Sequence, residues 1–217
     1  PLAQGVKMAN KDLTVIASGG DGDGYAIGMG HTIHALRRNM NMTYIVMDNQ
    51  IYGLTKGQTS PSSAKGFVTK STPKGNIEKN VAPLELALSS GATFVAQGFS
   101  SDIKALTKMI EDAIHHDGFS FVNVFSPCVT YNKVNTYDWF KEHLTSIDDI
   151  EGYDITDKQL AMKTVLDHES LVKGIVYQDT TTPSYESQIS ELEHEALAKR
   201  DIHITEETFN DLTAQFL

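Results

Sequence analysis

Apolar residues fall along this chain in short β-rich runs, separated by stretches that carry a helical repeat. Residues 13–17, Leu-Thr-Val-Ile-Ala, form one such run, halted by Ser18-Gly19-Gly20; that is the pattern of a strand buried on both faces. Residues 25–40 then place Ile27, Ile33, Leu36 and Met40 on a helical period and leave Arg37 and Arg38 outside it. Residues 43–47, Thr-Tyr-Ile-Val-Met, are a second apolar run. Strand, glycine turn, helix and strand within about 35 residues predict a βαβ unit with parallel strands. Further on, the pattern predicts helices over 83–89, closed by Gly91, and over 102–116, with Ile103, Leu106, Ile110 and Ile114 on one face and Gly118 as its stop. Strands are predicted over 93–97 and 119–125. The alternation implies an α/β fold, an open and mainly parallel sheet with helices on both faces.

Three stretches stand outside that rhythm. Residues 1–11 read as a helix end broken at Asn10-Lys11-Asp12. Residues 52–80 are rich in Gly, Ser, Thr, Lys and Pro with little periodicity, and a loop of that length in a compact domain is usually functional. Beyond residue 135 the chain reads as a mostly helical C-terminal appendage, 136–217, attached to an α/β domain, 1–135. Helices are predicted there at 157–167, 187–199 and 206–216, after an aromatic patch at 137–140.

Charge sharpens this division. Residues 1–135 carry 12 Lys/Arg and 10 Asp/Glu, whereas residues 136–217 carry 6 and 18, so the total of −10 arises in the C-terminal third. That balance argues against nucleic acid as a partner, because a phosphate backbone requires a basic face. No apolar run approaches the ~20 residues that span a bilayer. With one cysteine and no visible signal peptide, a reducing cytoplasm is the expected location. The chain opens Pro-Leu-Ala-Gln-Gly without an initiator Met and reads as part of a longer protein.

The candidate chemistry lies in the glycine turn. Such a turn, between a strand and a helix, usually cradles phosphate with its N–H groups, yet here it carries Asp21 and Asp23. Two carboxylates repel a bare diphosphate, and a divalent cation removes the conflict. Magnesium takes about six oxygens and is commonly held by one or two carboxylates plus substrate phosphates. Asn49 lies 28 residues after Asp21, at the end of the next strand, so its carboxamide oxygen and the Ile51 carbonyl can add ligands. The dinucleotide fingerprint is absent because Gly22 and Gly24 are followed by Ile27, and no Gly-Lys-Ser/Thr closes a Walker-type loop. His31 and His34 lie one helical turn apart, but no third ligand accompanies them.

Gly20-Asp21-Gly22 followed by Asp48-Asn49 resembles the thiamine-diphosphate motif, which ends in Asn-Asn; Asp48 replaces its first Asn. The longer strings Gly19-Gly-Asp-Gly-Asp-Gly24 and Asp48-Asn-Gln-Ile-Tyr-Gly-Leu-Thr-Lys-Gly-Gln58 resemble the β subunit of 2-oxoacid:ferredoxin oxidoreductases. The resemblance covers roughly residues 1–135. It implies a thiamine-diphosphate-binding fold, with magnesium held by Asp21, Asn49 and the Ile51 backbone oxygen. Gly22, Asp23, Gly53 and Leu54 would line the cofactor cleft, and Lys56 would approach the 2-oxoacid carboxylate. Ser126-Pro-Cys128 resembles the segment that supplies one cysteine of a four-iron four-sulfur cluster, in which case Cys128 is a ligand and the other thiolates lie elsewhere. The implied reaction is oxidative decarboxylation of a 2-oxoacid, with 2-oxoglutarate favoured, to acyl-coenzyme A. Electrons pass to ferredoxin, and an α subunit supplies the catalytic base. A non-oxidative thiamine-dependent decarboxylase or carboligase, or a cofactor-binding assembly subunit without catalysis, are the alternatives.

Overall fold

The computed structural model describes residues 1–192, 195–201 and 203–216. A short helix α1 (Leu2–Ala9) leads into strand β1 (Ile16–Gly20). A single π-helical turn, Asp23–Ile27, joins β1 to helix α2 (Met29–Arg38), which returns to β2 (Met42–Asp48). After the long loop come α3 (Pro83–Ser90), β3 (Phe94–Phe99), α4 (Ile103–His115) and β4 (Phe119–Phe125). Pro83 opens α3 at a position where its missing N–H costs nothing, and Gly91 closes it with a left-handed φ of 93°. Asp102 caps α4 by accepting from the Ala105 N–H.

Six strands form one sheet in the order β1-β2-β4-β3-β6-β5. The first four are mutually parallel, as the alternating pattern predicts. Faces alternate strictly along β4. Phe119 and Phe121 pack with Leu36 of α2 and with Leu84 and Leu88 of α3, while Val122 and Val124 pack with Met109 and Ala113 of α4. Helices therefore cover both faces, and the carboxyl ends of β1, β2 and β4 emerge at one edge.

The departures from expectation have local causes. Strand β1 begins three residues later than the apolar run and extends through both glycines. Its register is set by the ladder to β2, where Gly19 faces Val46 and Gly20 faces Met47, and glycines carry no side-chain pattern to announce it. The helix expected over 25–40 is interrupted by the π turn. In the C-terminal third, α5 (Tyr137–His143) arises from the aromatic patch, whose Phe140 packs on Phe99 and Phe125. Helices α6 (Lys158–Asp167) and α7 (Glu206–Ala214) lie where periodicity placed them. This third also supplies strands, β5 (Thr145–Ser146) and β6 (Val172–Gln178), with β6 antiparallel to β3. The β3–β6 register shifts between Val95 and Ala96. Such a bulge breaks the two-residue alternation by which a strand is recognised. The helix expected over 187–199 is replaced among the described residues by 3₁₀ turns at Glu186–Gln188, Ser190–Leu192 and Leu197–Lys199; Glu193 and His194 lie outside the described residues. Tyr185 donates its N–H to the Asn39 carbonyl and the Glu186 carboxylate accepts from the Asn41 N–H, so this segment is pinned flat on the domain. No helix among the described residues is long and apolar enough to cross a membrane.

Candidate metal and cofactor centre

Asp21 leaves β1 directly after Gly20, and Asp48 ends the neighbouring strand β2. The parallel ladder between these strands brings the two carboxylates to the same sheet edge, where open α/β sheets bind ligands. Both are buried, 3% and 2% exposed. The long loop folds back over them. Ser60 Oγ donates to Asp21 Oδ2 at 2.5 Å, and Ser62 Oγ lies 2.6 Å from the same oxygen and 2.7 Å from Asp48 Oδ1. A hydroxyl has one proton to give, so Ser62 can donate to only one of the two carboxyls. Burial first, and then the charge of Asp21, hold the Asp48 carboxyl well above the usual carboxylate range. A protonated Asp48 completes the chain by donating to Ser62 while Ser62 donates to Asp21.

Behind Asp48 the polar network continues into the sheet. Asn123, fully buried in the middle of β4, donates to Asp48 Oδ2 at 3.4 Å and to Gln97 Oε1 at 2.9 Å, and it accepts from the Tyr25 hydroxyl at 2.6 Å. Gln97 in turn donates to the carbonyls of Ser170 and Val172, tying the network to the start of β6. A cavity of about 530 Å³ opens beside it, with Asp48, Gln50 and Ser62 on one wall and Glu85, Phe125 and Trp139 among its other lining residues.

The glycine turn is built for close approach. A Cβ on Gly22 would lie 2.2 Å from the Tyr52 ring. Asp23 is turned back on its own turn and accepts from the Gly20 N–H at 2.8 Å. In the π turn, Gly28 N–H bonds to the Asp23 carbonyl, and the Thr32 hydroxyl satisfies the Gly24 carbonyl. π turns within helices are frequently found at functional sites.

The structure brings Asn49 and Ile51 to the same edge. The Asn49 side-chain oxygen accepts from the Ile51 N–H at 3.0 Å, and a carboxamide oxygen keeps a second lone pair. Gly53, Leu54 and Lys56 lie beyond, in a turn where Gln50 and Lys56 adopt left-handed φ and Leu54 is 100% exposed. Among the described residues no group of three or more His, Cys, Asp or Glu side chains could hold a metal; His31 and His34 are both exposed on α2. A cation at this edge must therefore draw on carboxamide and backbone oxygens besides Asp21.

Cys128 follows the end of β4. Burial pushes its thiol up, but the N–H groups of Tyr131, Thr130 and Asn132, together with Lys133, outweigh that and hold it below its usual value. A nest of N–H donors favours the thiolate, the form that ligates metals. Asn132 of the same turn reaches the Asn49 carbonyl at 3.5 Å, and Tyr131 packs over Gly57, so the cysteine turn and the Asp21–Asn49 edge share one scaffold.

Ser60, Ser62, Asn123, Gln97 and Asn132 escape a reading of spacing. One signal was available, a lone Asn inside the apolar strand 119–125, because a buried amide in a central strand must be hydrogen-bonded.

The family described as "Thiamine pyrophosphate enzyme, C-terminal TPP binding domain" matches residues 1–124, and the family of the C-terminal part of the "Pyruvate ferredoxin oxidoreductase beta subunit" matches residues 128–194. The chain belongs to the thiamine pyrophosphate enzymes, in their 2-oxoacid:ferredoxin oxidoreductase β-subunit branch. Within that branch it is 42% identical over 198 residues to the "2-oxoacid:ferredoxin oxidoreductase subunit beta" of a Sulfolobus species, covering 87% of this chain and 65% of that protein. It is 46% identical over 131 residues to the "2-oxoglutarate oxidoreductase subunit KorB" of Mycobacterium tuberculosis, covering 60% of this chain and 35% of that protein. A solved 2-oxoglutarate:ferredoxin oxidoreductase from Magnetococcus marinus, with 2-oxoglutarate, coenzyme A and succinyl-CoA bound, superposes with a TM-score of 0.87 at 36% identity, over 97% of this chain and 71% of that one. The chain thus spans about two thirds of the length of the curated β subunits it resembles over most of its own length.

Proposed function

We propose that this chain is the cofactor-bearing part of a 2-oxoacid:ferredoxin oxidoreductase β subunit, working on 2-oxoglutarate in the cytoplasm with an α subunit, ferredoxin and coenzyme A. The observation that carries this reading is Asp21. It is buried beside a second buried carboxyl, and no basic side chain pairs with either among the described residues. Buried charge without a counter-charge is costly, and a divalent cation offsets it. The donor set of one carboxylate, one carboxamide and one backbone carbonyl suits magnesium, which keeps its other positions for phosphate and water.

Asp21, Asn49 and the Ile51 carbonyl would hold that cation. Gly22, whose missing Cβ makes room for the Tyr52 ring, would line the diphosphate side of the turn, and Asp23 keeps the turn closed through its bond to the Gly20 N–H. Gly53 and Leu54 form the wall of the cleft; Leu54 is an apolar side chain with nothing against it, as a shelf for an aromatic cofactor would be. Lys56 carries a positive charge in the same turn, suited to orient the carboxylate of a 2-oxoacid. Thiamine diphosphate supplies the nucleophilic carbon and the electron sink for decarboxylation. Cys128, with its thiolate-favouring N–H groups, would furnish one ligand of a 4Fe-4S cluster. Such a cluster needs four thiolates and this sequence holds one, so Cys128 by itself does not bind it.

The assembled protein is expected to reduce a viologen dye only when 2-oxoglutarate and coenzyme A are both present. Asp21→Ala is expected to lower that rate at least about 100-fold, since loss of a direct ligand should exceed the loss of a group that merely orients one. Release of aldehyde without dye reduction would assign the non-oxidative thiamine chemistry instead. Thiamine diphosphate binding with neither product would assign a non-catalytic assembly role.

A further inference from the structure

The two serines that meet Asp21 belong to a loop with no part in the sheet, and both converge on the same carboxylate oxygen, Oδ2. Oδ1 receives neither hydroxyl. A carboxylate fixed in this way offers one oxygen to a cation and cannot swing to bidentate coordination, which a small octahedral ion with phosphate ligands does not accommodate. Ser60 and Ser62 are themselves buried, 7% and 3% exposed. Ser62 also reaches Asp48 on the next strand, so one side chain registers the loop against both β1 and β2. The remaining serine of the turn, Ser63, donates to the Gln50 carbonyl and accepts from the Ser60 N–H. It makes no hydrogen bond to Asp21, and its hydroxyl touches that of Ser60 only at 3.4 Å.

We propose that Ser60 and Ser62 are positioning residues for the divalent cation, orienting Asp21 through Oδ2 and coupling cation binding to the seating of the 52–80 loop. This rests on the reading of Asp21 as a magnesium ligand. Hydrogen bonds from groups that do not touch the metal hold ligating carboxylates in register, and their loss typically lowers metal affinity by about 10–100-fold. The loop that carries these serines also carries Leu54 and Lys56. Its fixation at Asp21 therefore sets where the cofactor shelf and the basic side chain stand.

The test is a calorimetric titration of Mg²⁺ into the full-length protein with thiamine diphosphate present, read separately from the affinity for thiamine diphosphate at saturating Mg²⁺. Ser60→Ala and Ser62→Ala should each raise the half-saturating Mg²⁺ concentration about tenfold while leaving the cofactor's affinity at saturating Mg²⁺ within about twofold. Ser60→Thr, which keeps the hydroxyl, should restore the wild-type value, and Ser63→Ala should leave it in place. Melting by circular dichroism checks each variant; if Ser62→Ala does not fold, the Ser60 pair decides. Serine variants that titrate like wild type overturn the proposal while Asp21→Ala still tests the cation site. An equal shift in Ser63→Ala would mean general loosening of the loop and also overturns it. A wild type whose cofactor binding ignores Mg²⁺ overturns the cation reading itself, and this proposal with it.

Discussion

Single buried polar residues decide much of this molecule's behaviour, and His116 is the clearest case away from Asp21 and Asp48. It is 5% exposed at the end of α4, its ring tilted against that of Phe94, with Nε2 2.8 Å from the Thr93 hydroxyl. That hydroxyl donates its proton to Asn39 Oδ1, so the histidine must carry a proton on Nε2 to donate to it. Burial lowers its pKa, and the opposing charges of Asp117 and Asp179 do not offset it. A histidine held neutral contributes stability that is fully present above the unfolded value of about 6.5 and is lost as pH falls through the lower folded one. The raised Asp48 carboxyl acts in the opposite sense over the same range, so the share of His116 is read as the difference in urea midpoint between wild type and His116→Gln, which keeps a donor toward Thr93. That difference should be level above neutral pH and change on acidification below it, the wild type losing more; a difference that does not vary with pH would exclude His116. Residues of this kind mark how far the sequence could be read. Asp21 and Asn49 were legible because their spacing matches two adjacent strand ends. Ser60 and Ser62 were not, because their hydrogen bonds depend on how a loop without periodicity folds back. Asn39 and His116 meet only when the ends of α2 and α4 converge.

Elements followed the sequence wherever an apolar face had to meet a core, and departed from it where backbone geometry set the outcome. Strands β2 and β4 and helices α3, α4, α6 and α7 lie where periodicity placed them. The π turn after the glycine-rich segment could not be anticipated, because it needs space rather than hydrophobicity. At Gly28 an added Cβ would lie 2.2 Å from the Asp23 carbonyl oxygen, whereas at Gly30, two residues on and inside α2, nothing lies within 4 Å. Substituting alanine at the two positions should therefore have opposite effects. Gly30→Ala should stabilise by about 0.5–1 kcal/mol, since alanine loses less backbone entropy in a helix. Gly28→Ala should destabilise by about 1–3 kcal/mol, the usual cost of overpacking. It should also weaken binding of thiamine diphosphate with Mg²⁺, because the tight turn carries Asp23 at its head. Chemical denaturation of the two variants, followed by the same cofactor titration, separates the effects. A stabilised Gly28→Ala protein would show that the turn relaxes to ordinary helix without penalty.

On the scale of the whole molecule, the acidic C-terminal third shares the main hydrophobic core, through buried Ala161 and Val165 of α6 and Val172 and Val176 of β6, and is attached by three further devices. Strand β6 extends the sheet, and α5 closes an aromatic cluster over the ends of β3 and β4. The third is a buried ion pair at the opposite, amino end of the parallel strands. There Lys7 of α1 lies 3.8 Å from Glu186, both side chains 6% exposed. Lys7 also donates to the carbonyls of Lys11 and Leu13, and Glu186 accepts from the Asn41 N–H, so neither charge relies on the other alone. Asn39 adds bonds to the carbonyls of Thr182 and Pro183. Removing one partner of a buried pair leaves an uncompensated charge and typically costs about 3–5 kcal/mol, whereas replacing both by apolar residues is often neutral. Here the cost of Glu186→Leu should fall mainly on the 183–192 segment, since the strands keep their own ladder. Hydrogen exchange read by mass spectrometry should show that segment opening faster while the amides of β2, β3 and β4 keep their protection. Lys7→Met combined with Glu186→Leu should recover most of the loss. If the single substitution instead lowers protection evenly through the sheet, then this segment is part of the cooperative core, and the acidic third folds as one unit with the cofactor domain.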